Sequence, residues 1–262
     1  MKEDRIRRID SYLDKLRIKT KDVDQRKIYS EVLDERALKL LYKLSSKGII
    51  KALGGVINSG KEANIFYADG VYGERELPVA VKIYRIETGE FRKMDEYLYG
   101  DKRFNVKKLS RKDLIYLWTK KEFRNLKRAF EANVRVPEPI TSAGNILIME
   151  FLGEGETPAP LLFEVGKGLE DIVDPQKLFQ DIIENVRKLY QNAYLVHADL
   201  SEFNIMLFEE KPYLIDMGQS VLADHPNSMH YLQRDIKNVL RFFSRMGVEE
   251  DEQKVVNYVI GE

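Results

Sequence analysis

The spacing of apolar residues changes along this chain, and the change limits the folds that it can adopt. Residues 1–50 have the spacing of helices. Their apolar stripe consists of Leu33, Leu38, Leu41 and Leu44. Short β-rich runs follow, interrupted by one long helical pattern from Arg111 to Ala132. Beyond a thin connector near residues 150–160 the pattern is mostly helical again. The sequence therefore predicts an α+β fold in two halves, with a cleft between them as the natural ligand site.

The composition excludes several kinds of site. None of the 262 residues is a cysteine, which excludes disulfide scaffolds, thiolate metal sites and cysteine nucleophiles. Three histidines are too few for a histidine-rich metal site. The first residues are charged and lack the apolar core of a secretory signal, and no apolar run reaches the length of a membrane span. We therefore expect a cytoplasmic protein with no membrane partner.

A glycine-rich segment, GGVINSGKEAN, offers the first candidate for phosphate binding. Gly55, Gly60 and Lys61 fit the G-x-x-x-x-G-K pattern of a Walker A loop. That loop requires Ser or Thr next and a helix behind it, but Glu62 follows and the next residues look like a strand. The segment is better interpreted as a glycine-rich hairpin. It either folds over phosphates, because glycine permits close backbone approach, or is an ordinary turn.

A lysine on the next strand has two interpretations. Lys82 in VAVKIYR alternates with Val79, Val81 and Ile83, so it lies on the opposite face of the strand. Such a lysine usually extends to solvent. Alternatively it contacts phosphates while paired with an acid, and Glu122 on the long helix is the nearest acid in that pattern.

Two acidic segments, HADLSEFN and YLIDMGQS, carry the strongest chemical signal. Asp199 and Asn204 are five positions apart, and Asp216 follows across a predicted hairpin. Asp and Asn oxygens suit magnesium, and a carboxylate without a metal can accept a proton from an attacking hydroxyl. Taken alone, these residues could simply cap turns. A phosphate-binding turn, a lysine, magnesium ligands and a base do, however, occur here in the order that protein kinases use.

The chain resembles the RIO atypical protein kinases, and the first RIO subtype in particular. The match runs from about Ile49 to the end of the sequence, and the segments that carry it are SGKEANIFYA, VAVKIYR, PAPLL, HADLSEFN, LIDMGQS and RDIKNVLRFF. The resemblance implies a bilobal protein-kinase-like fold. Extra N-terminal helices would occupy residues 1–48, a β-rich N-terminal lobe 49–150 with a long insertion at 85–110, and a trimmed, mostly helical C-terminal lobe 151–262.

The resemblance also implies roles for individual residues. Asp199 is expected to be the catalytic aspartate, with Asn204 and Asp216 as metal ligands and Asp216 as the site of an aspartyl-phosphate intermediate. ATP and Mg²⁺ are the expected cofactors, with Mn²⁺ as a substitute. The expected nucleotide-binding residues are Ser59, Gly60, Lys61, Glu62, Lys82, Glu122, Glu150, Leu152 and Pro158. The expected function is that of a serine/threonine kinase and ATPase acting in maturation of the small ribosomal subunit, with the subunit precursor as partner through its protein or RNA.

Departures from ordinary kinases qualify this expectation. Ala198 stands where H-R-D has arginine, Met217 stands where D-F-G has phenylalanine, and no A-P-E signature follows. Only 46 residues follow Asp216, which leaves little room for the usual peptide-binding platform and puts an extended peptide substrate in doubt. The polar segment from Arg85 to Lys108 is either a surface for RNA or a protein partner or a plain flexible loop. It contributes to a local excess, eleven basic and two acidic residues from Lys102 to Arg128.

Two other functions remain open at the level of sequence. A small-molecule phosphotransferase of the aminoglycoside type shares the H-x-D-x-x-x-x-N pattern, but it would need an acidic cage for a cationic substrate. A non-catalytic nucleotide-binding assembly module would not need Lys82, Asp199, Asn204 and Asp216 together.

Overall fold

The computed structural model describes residues 33, 35–86, 91–98, 100–104 and 109–262. The chain divides into two compact units. The first contains the described residues up to 86, together with Ser110–Lys120 and Ile140–Pro158. The second contains those within Phe91–Leu109, Lys121–Pro139 and Ala159–Glu262. Within the described residues no helix is both long and apolar enough to cross a membrane.

The first unit is built on a five-stranded sheet. Its elements are helix α1 (Glu35–Ser46) and strands β1 (Ile50–Ser59), β2 (Ala63–Tyr72), β3 (Arg75–Tyr84), β4 (Pro139–Ala143), β5 (Ile146–Glu150), β6 (Gly153–Glu154) and β7 (Thr157–Pro158). The sheet order is β1-β2-β3-β5-β4, while β6 and β7 form a separate hairpin. The first three strands are connected by short turns, so they form the meander that the sequence predicts.

The leucine stripe of α1 accounts for the position of this helix. Leu38, Leu41 and Leu44 on α1 are buried, as is Leu33 just before the helix, in agreement with their spacing. They join the core with apolar side chains of the sheet, including Leu53, Phe66, Val81 and Ile148. Residues 1–32, also predicted to be helical, lie outside the described residues.

The second unit is mainly helical. Its elements are helices α2 (Phe91–Leu98), the second part of α3 (Arg111–Glu131), α4 (Leu162–Val165), α5 (Pro175–Gln191), α6 (Ser228–Phe243) and α7 (Glu252–Ile260), the 3₁₀ helices Gly166–Asp171 and Ser244–Met246, and the short strands β8 (Leu195–Val196), β9 (Ile205–Phe208), β10 (Lys211–Leu214) and β11 (Val221–Leu222). Asp174 caps α5 by accepting from the Gln176 N–H at 2.9 Å, and Pro175 opens the helix without losing a backbone bond.

The insertion at 85–110 contains a helix, α2, that groups with the second unit. The sequence division placed this insertion in the β-rich half. The packing of α2 explains the difference, because the rings of Tyr97 on α2 and Tyr231 on α6 lie 5.4 Å apart and the Tyr231 hydroxyl donates to Glu96 at 2.9 Å. The basic residues Lys107 and Lys108 lie outside the described residues.

Candidate functional site

The HADLSEFN segment forms a compact loop between β8 and β9. The Asn204 side-chain nitrogen donates to the Asp199 carbonyl oxygen at 2.7 Å and to Asp199 Oδ2 at 3.2 Å. Gln219 Nε2 donates to the same Oδ2 at 3.0 Å. The structure thus brings together Asp199, Asn204 and the segment that follows Asp216, and it holds the Asp199 carboxylate in one orientation.

Helix α6 fixes the start of this loop. The buried carboxylate of Asp235 accepts from the N–H groups of Ala198 at 2.8 Å and Leu200 at 2.9 Å. Arg234 donates to the Ala198 carbonyl. Burial raises the pKa of Asp235 to about 7, while the two backbone donors and the Arg234 charge act in the opposite direction. Ala198 is held with φ of 67°, a left-handed conformation that is unfavourable for a residue with a side chain.

His197 ties this loop to the second acidic segment. Its Nε2 lies 3.0 Å from the Ile215 carbonyl oxygen, and burial lowers its pKa to about 4. The imidazole is therefore neutral at pH 7 and carries its proton on Nε2, since a carbonyl can only accept. The Ile215 N–H donates to the Asn204 carbonyl at 3.0 Å. Asp216 comes next, with φ of 61°. These bonds place Asp216 beside the loop that carries Asp199 and Asn204. We call residues 197–204 together with Asp216 the loop cluster.

Helix α3 supplies a second anchor, directly after Asp216. Lys121 Nζ donates to the carbonyls of Gly218 at 2.7 Å and Ser220 at 2.5 Å. Asn125 Nδ2 donates to the carbonyls of Met217 and Ser220, both at 2.9 Å. Both side chains are fully buried. We call Lys121 and Asn125 the α3 clamp; sequence reasoning missed it. Its signal was two polar residues spaced i, i+4 on a buried helix face.

The buried amine of Lys121 has a lowered pKa. Burial lowers the pKa of Lys121 to about 7, with the charge of Asp101 acting in the opposite direction. Asp101 is itself bonded by the Arg103 guanidinium at 2.9 and 2.6 Å. A buried amine at this place is tolerated because two carbonyl oxygens accept from it.

The predicted phosphate-binding turn lies between β1 and β2. The Gly60 N–H donates to the Ala63 carbonyl at 2.9 Å, which closes the turn, and Lys61 and Glu62 are exposed. Ser59 Oγ lies 2.9 Å from the Asn64 side-chain oxygen. Strand β2 starts at Ala63 with no helix behind the turn, so the hairpin interpretation is confirmed and the Walker A alternative is excluded.

The two residues of the predicted lysine–acid pair belong to different units, Lys82 to the first and Glu122 to the second. Lys82 is on β3, only 6% exposed, with Nζ 5.0 Å from the centre of the Tyr84 ring. The solvent-exposed alternative for this lysine is therefore wrong. Glu122 follows Lys121 on α3 and is fully buried. Their pairing stays a prediction.

The predicted adenine-binding segment begins where β5 ends. Glu150 is the last residue of the strand, and the next N–H, that of Phe151, donates to the Pro78 carbonyl at 3.2 Å. Leu152 is buried and Pro158 is exposed on β7. Contacts of these residues with adenine remain a prediction.

The oxygen donors of the loop cluster fit magnesium. Because its amide nitrogen bonds Asp199, the Asn204 side chain offers its carbonyl oxygen to a cation, and Asp216 offers a carboxylate. In the part of the chain that is described, no three His, Cys, Asp or Glu residues cluster as a metal site. A pair of oxygen donors is the usual protein share for Mg²⁺, which takes further ligands from phosphates and water.

Comparison with known proteins shows the family of the chain. The profile of the RIO domain family matches residues 64–255. The RIO-type serine/threonine-protein kinase Rio1 of Haloferax volcanii is 41% identical over 260 residues, covering 99% of this chain and 87% of the relative. The Rio1 kinase of Methanocaldococcus jannaschii is 38% identical over 92% of this chain and 80% of its own length. The crystal structure of a Rio2 kinase–ADP/Mg²⁺–phosphoaspartate complex from Chaetomium thermophilum superposes with a TM-score of 0.63 at 25% identity, covering 86% of this chain and 66% of that chain. The chain therefore belongs to the RIO domain family, among its Rio1-type serine/threonine-protein kinases.

Proposed function

We propose that this chain transfers the γ-phosphoryl group of ATP to a serine or threonine hydroxyl, and that it also hydrolyses ATP. The observation that carries the proposal is the bonded arrangement of Asp199, Asn204 and Gln219. It aims one carboxylate in a fixed direction beside an amide oxygen suited to a cation. Phosphoryl transfer depends on such positioning, since the protein itself contributes little covalent chemistry.

In the proposed reaction the acceptor hydroxyl oxygen attacks the γ-phosphorus. The bond from that phosphorus to the β–γ bridging oxygen breaks and ADP leaves. Asp199 accepts the hydroxyl proton. Its carboxylate can do so while Asn204 and Gln219 donate hydrogen bonds to its Oδ2 and fix its orientation. Mg²⁺, held by Asn204 and Asp216, would neutralise phosphate charge when bound. Lys82, paired with Glu122, would contact the phosphates.

The hairpin and the end of β5 complete the proposed nucleotide site. Backbone groups of Ser59, Gly60, Lys61 and Glu62 would cover the phosphates, because a turn closed at glycine lets the backbone approach them. Backbone groups near Glu150 and Leu152 would bind adenine, with Pro158 beside them. ATP with Mg²⁺ is the proposed cofactor pair, and Mn²⁺ would replace Mg²⁺.

ATP hydrolysis would pass through Asp216. Its carboxylate oxygen would attack the γ-phosphorus, ADP would leave, and water would then release phosphate and restore the carboxylate. The phosphoaspartate in the related Rio2 complex supports this step. We further propose that the cycle acts on a precursor of the small ribosomal subunit, an expectation that rests on the family and on the basic region from Lys102 to Arg128.

The test is Asp199→Ala in the full chain with labelled ATP. Phosphoryl transfer should fall on the order of 10²–10⁴-fold, about 3–5 kcal/mol of barrier, while ATP binding is retained. Free phosphate and phosphoprotein are quantified separately, with Asp224→Ala as the control because that aspartate pairs only with Lys102 at the surface among the ion pairs described. Turnover within a few-fold of the parent would refute the assignment of Asp199.

A further inference from the structure

Two exposed phenylalanines stack on each other at the catalytic loop. Phe163 on α4 is 56% exposed and Phe203 in HADLSEFN is 50% exposed. Their ring centres are 4.4 Å apart, with ring planes inclined by 32°. Single exposed apolar residues are normal on protein surfaces, but a contiguous aromatic pair leaves a larger apolar area in water. We call Phe163 and Phe203 the aromatic pair.

The backbone holds the aromatic pair in place. The Phe163 N–H donates to the Glu202 carbonyl at 3.0 Å, and the Leu207 N–H donates to the Pro160 carbonyl at 2.8 Å. Backbone hydrogen bonds therefore connect the chain around Phe163 to the chain around Phe203. A surface fixed in this way loses little conformational entropy when a partner binds it.

The aromatic pair lies close to the reacting groups. Phe203 precedes Asn204, whose side chain is 3.2 Å from Asp199 Oδ2. Adding one Cα–Cα step and the length of an asparagine side chain places the Phe203 backbone no more than about 11 Å from that carboxylate. An extended peptide covers this distance in about three residues.

The charge of the segment that carries Phe163 decides what kind of partner the aromatic pair fits. Residues 161–174 contain four acidic residues, Glu164, Glu170, Asp171 and Asp174, and one basic residue, Lys167. The four acidic residues are exposed. Carboxylates repel a phosphate backbone, so stacking of an RNA base is disfavoured here although aromatic rings can bind bases. They attract lysine and arginine.

We propose that the aromatic pair is a docking site for the acceptor protein. It receives an apolar side chain two or three residues from the acceptor serine or threonine, in a segment that also carries lysine or arginine. This inference rests on the proposed protein-kinase function and deepens it. The site gives the chain a way to select a short acceptor segment despite the lack of an A-P-E signature.

The experiment uses a panel of synthetic peptides with the full-length protein. Each peptide has one acceptor serine among glycines, with lysines at both ends. One leucine replaces a single glycine, and its position before or after the serine differs from peptide to peptide. Binding is measured by fluorescence anisotropy without ATP, and phosphorylation is measured as kcat/KM with ATP and Mg²⁺. The parent should prefer leucine two or three positions from serine over glycine on the order of tenfold. Phe163→Ser and Phe203→Ser should each remove this preference. Phe130→Ser, which changes a phenylalanine 41% exposed on α3, should keep it.

The outcomes separate this inference from the proposed function. No leucine preference in the parent, an unchanged preference in both variants, or an equal loss in Phe130→Ser would each overturn the docking site. If the leucine peptide binds through the aromatic pair but no peptide is phosphorylated, the docking site stands and the protein-kinase proposal fails. If the two variants instead lose binding of a labelled oligouridylate and keep peptide binding, the surface is an RNA contact and the docking proposal is wrong.

Discussion

The α3 clamp predicts a specific non-additivity between two substitutions. Lys121→Met removes the bonds to Gly218 and Ser220, but Ser220 still accepts from Asn125. Asn125→Leu leaves Ser220 with Lys121, and Met217 still accepts from the Ser220 N–H at 3.3 Å. Only the double variant removes both side-chain donors from the Ser220 carbonyl.

The magnitude follows from that shared carbonyl. A buried acceptor that loses its partners costs about 1–3 kcal/mol, so the double variant should be less stable than the sum of the singles by about that amount. Each single effect contains other terms. Lys121→Met removes a buried amine, whose burial lowers its pKa to about 7. Asn125→Leu removes a side-chain oxygen that is buried without a hydrogen bond among the described residues. These terms cancel in the double-mutant cycle because each occurs in both arms.

Urea unfolding followed by far-ultraviolet circular dichroism gives the four free energies of unfolding. ATP turnover is also measured as a function of the Mg²⁺ concentration. The double variant should reach half-maximal turnover at a higher Mg²⁺ concentration, because the clamped segment directly follows Asp216. Lys120→Met, a change of an exposed lysine on the same helix, is the matched control. Additivity of the single variants within about 0.5 kcal/mol would refute the shared-acceptor reasoning.

Three further substitutions test the loop cluster. Asp216→Asn should weaken Mg²⁺-dependent nucleotide binding and abolish a hydroxylamine-sensitive phosphoenzyme; an adduct that persists would place the phosphate on another residue. His197→Gln should reduce the acid sensitivity of folding. The folded pKa of about 4 lies below the usual 6.5, so the unfolded chain alone gains a proton between those values and the parent loses about 2–3 kcal/mol from pH 7 to 4.5 through this group. Asp235, with a raised pKa of about 7, acts in the opposite direction, but it is present in both proteins, so the parent-minus-variant difference in urea unfolding isolates His197. Ala198→Arg should destabilise the fold by about 1–3 kcal/mol or more through overpacking, because Ala198 is fully buried; an unchanged urea midpoint would contradict this.

Much of the fold could be predicted because its signals are local. The leucine stripe of α1 needs only its own spacing, and the long helix predicted from Arg111 to Ala132 is observed as Arg111–Glu131. The turn at Gly60 was recognisable because strand-like residues flank it on both sides. The grouping of α2 with the helical unit was not predictable in this way. It depends on Tyr97 contacting Tyr231, a residue far along the chain.

The same distinction applies to the candidate site. Asp199 and Asn204 are five positions apart in one short loop, so the motif that singled them out is local, and the structure shows them in contact. Lys121 bonds Gly218 across 97 positions. The i, i+4 spacing places Lys121 and Asn125 on one helix face, but the carbonyl groups that they bond lie in a distant segment, so their partners are not visible in the sequence. The roles of Asp235 and Arg234, both on α6, were not predicted for the same reason.

The arrangement around Ala198 explains why arginine is absent from the H-R-D position. The Ala198 N–H is taken by Asp235 and its carbonyl by Arg234, so both backbone groups are fixed from α6. These bonds hold a left-handed conformation that otherwise costs about 1–2 kcal/mol, and full burial leaves no room for a longer side chain. In ordinary kinases a basic residue at this position connects the catalytic loop to a phosphorylated segment. Here the cation comes from α6 and bonds the backbone instead. The catalytic loop therefore receives its support at this position from Asp235 and Arg234 on α6, within the same unit.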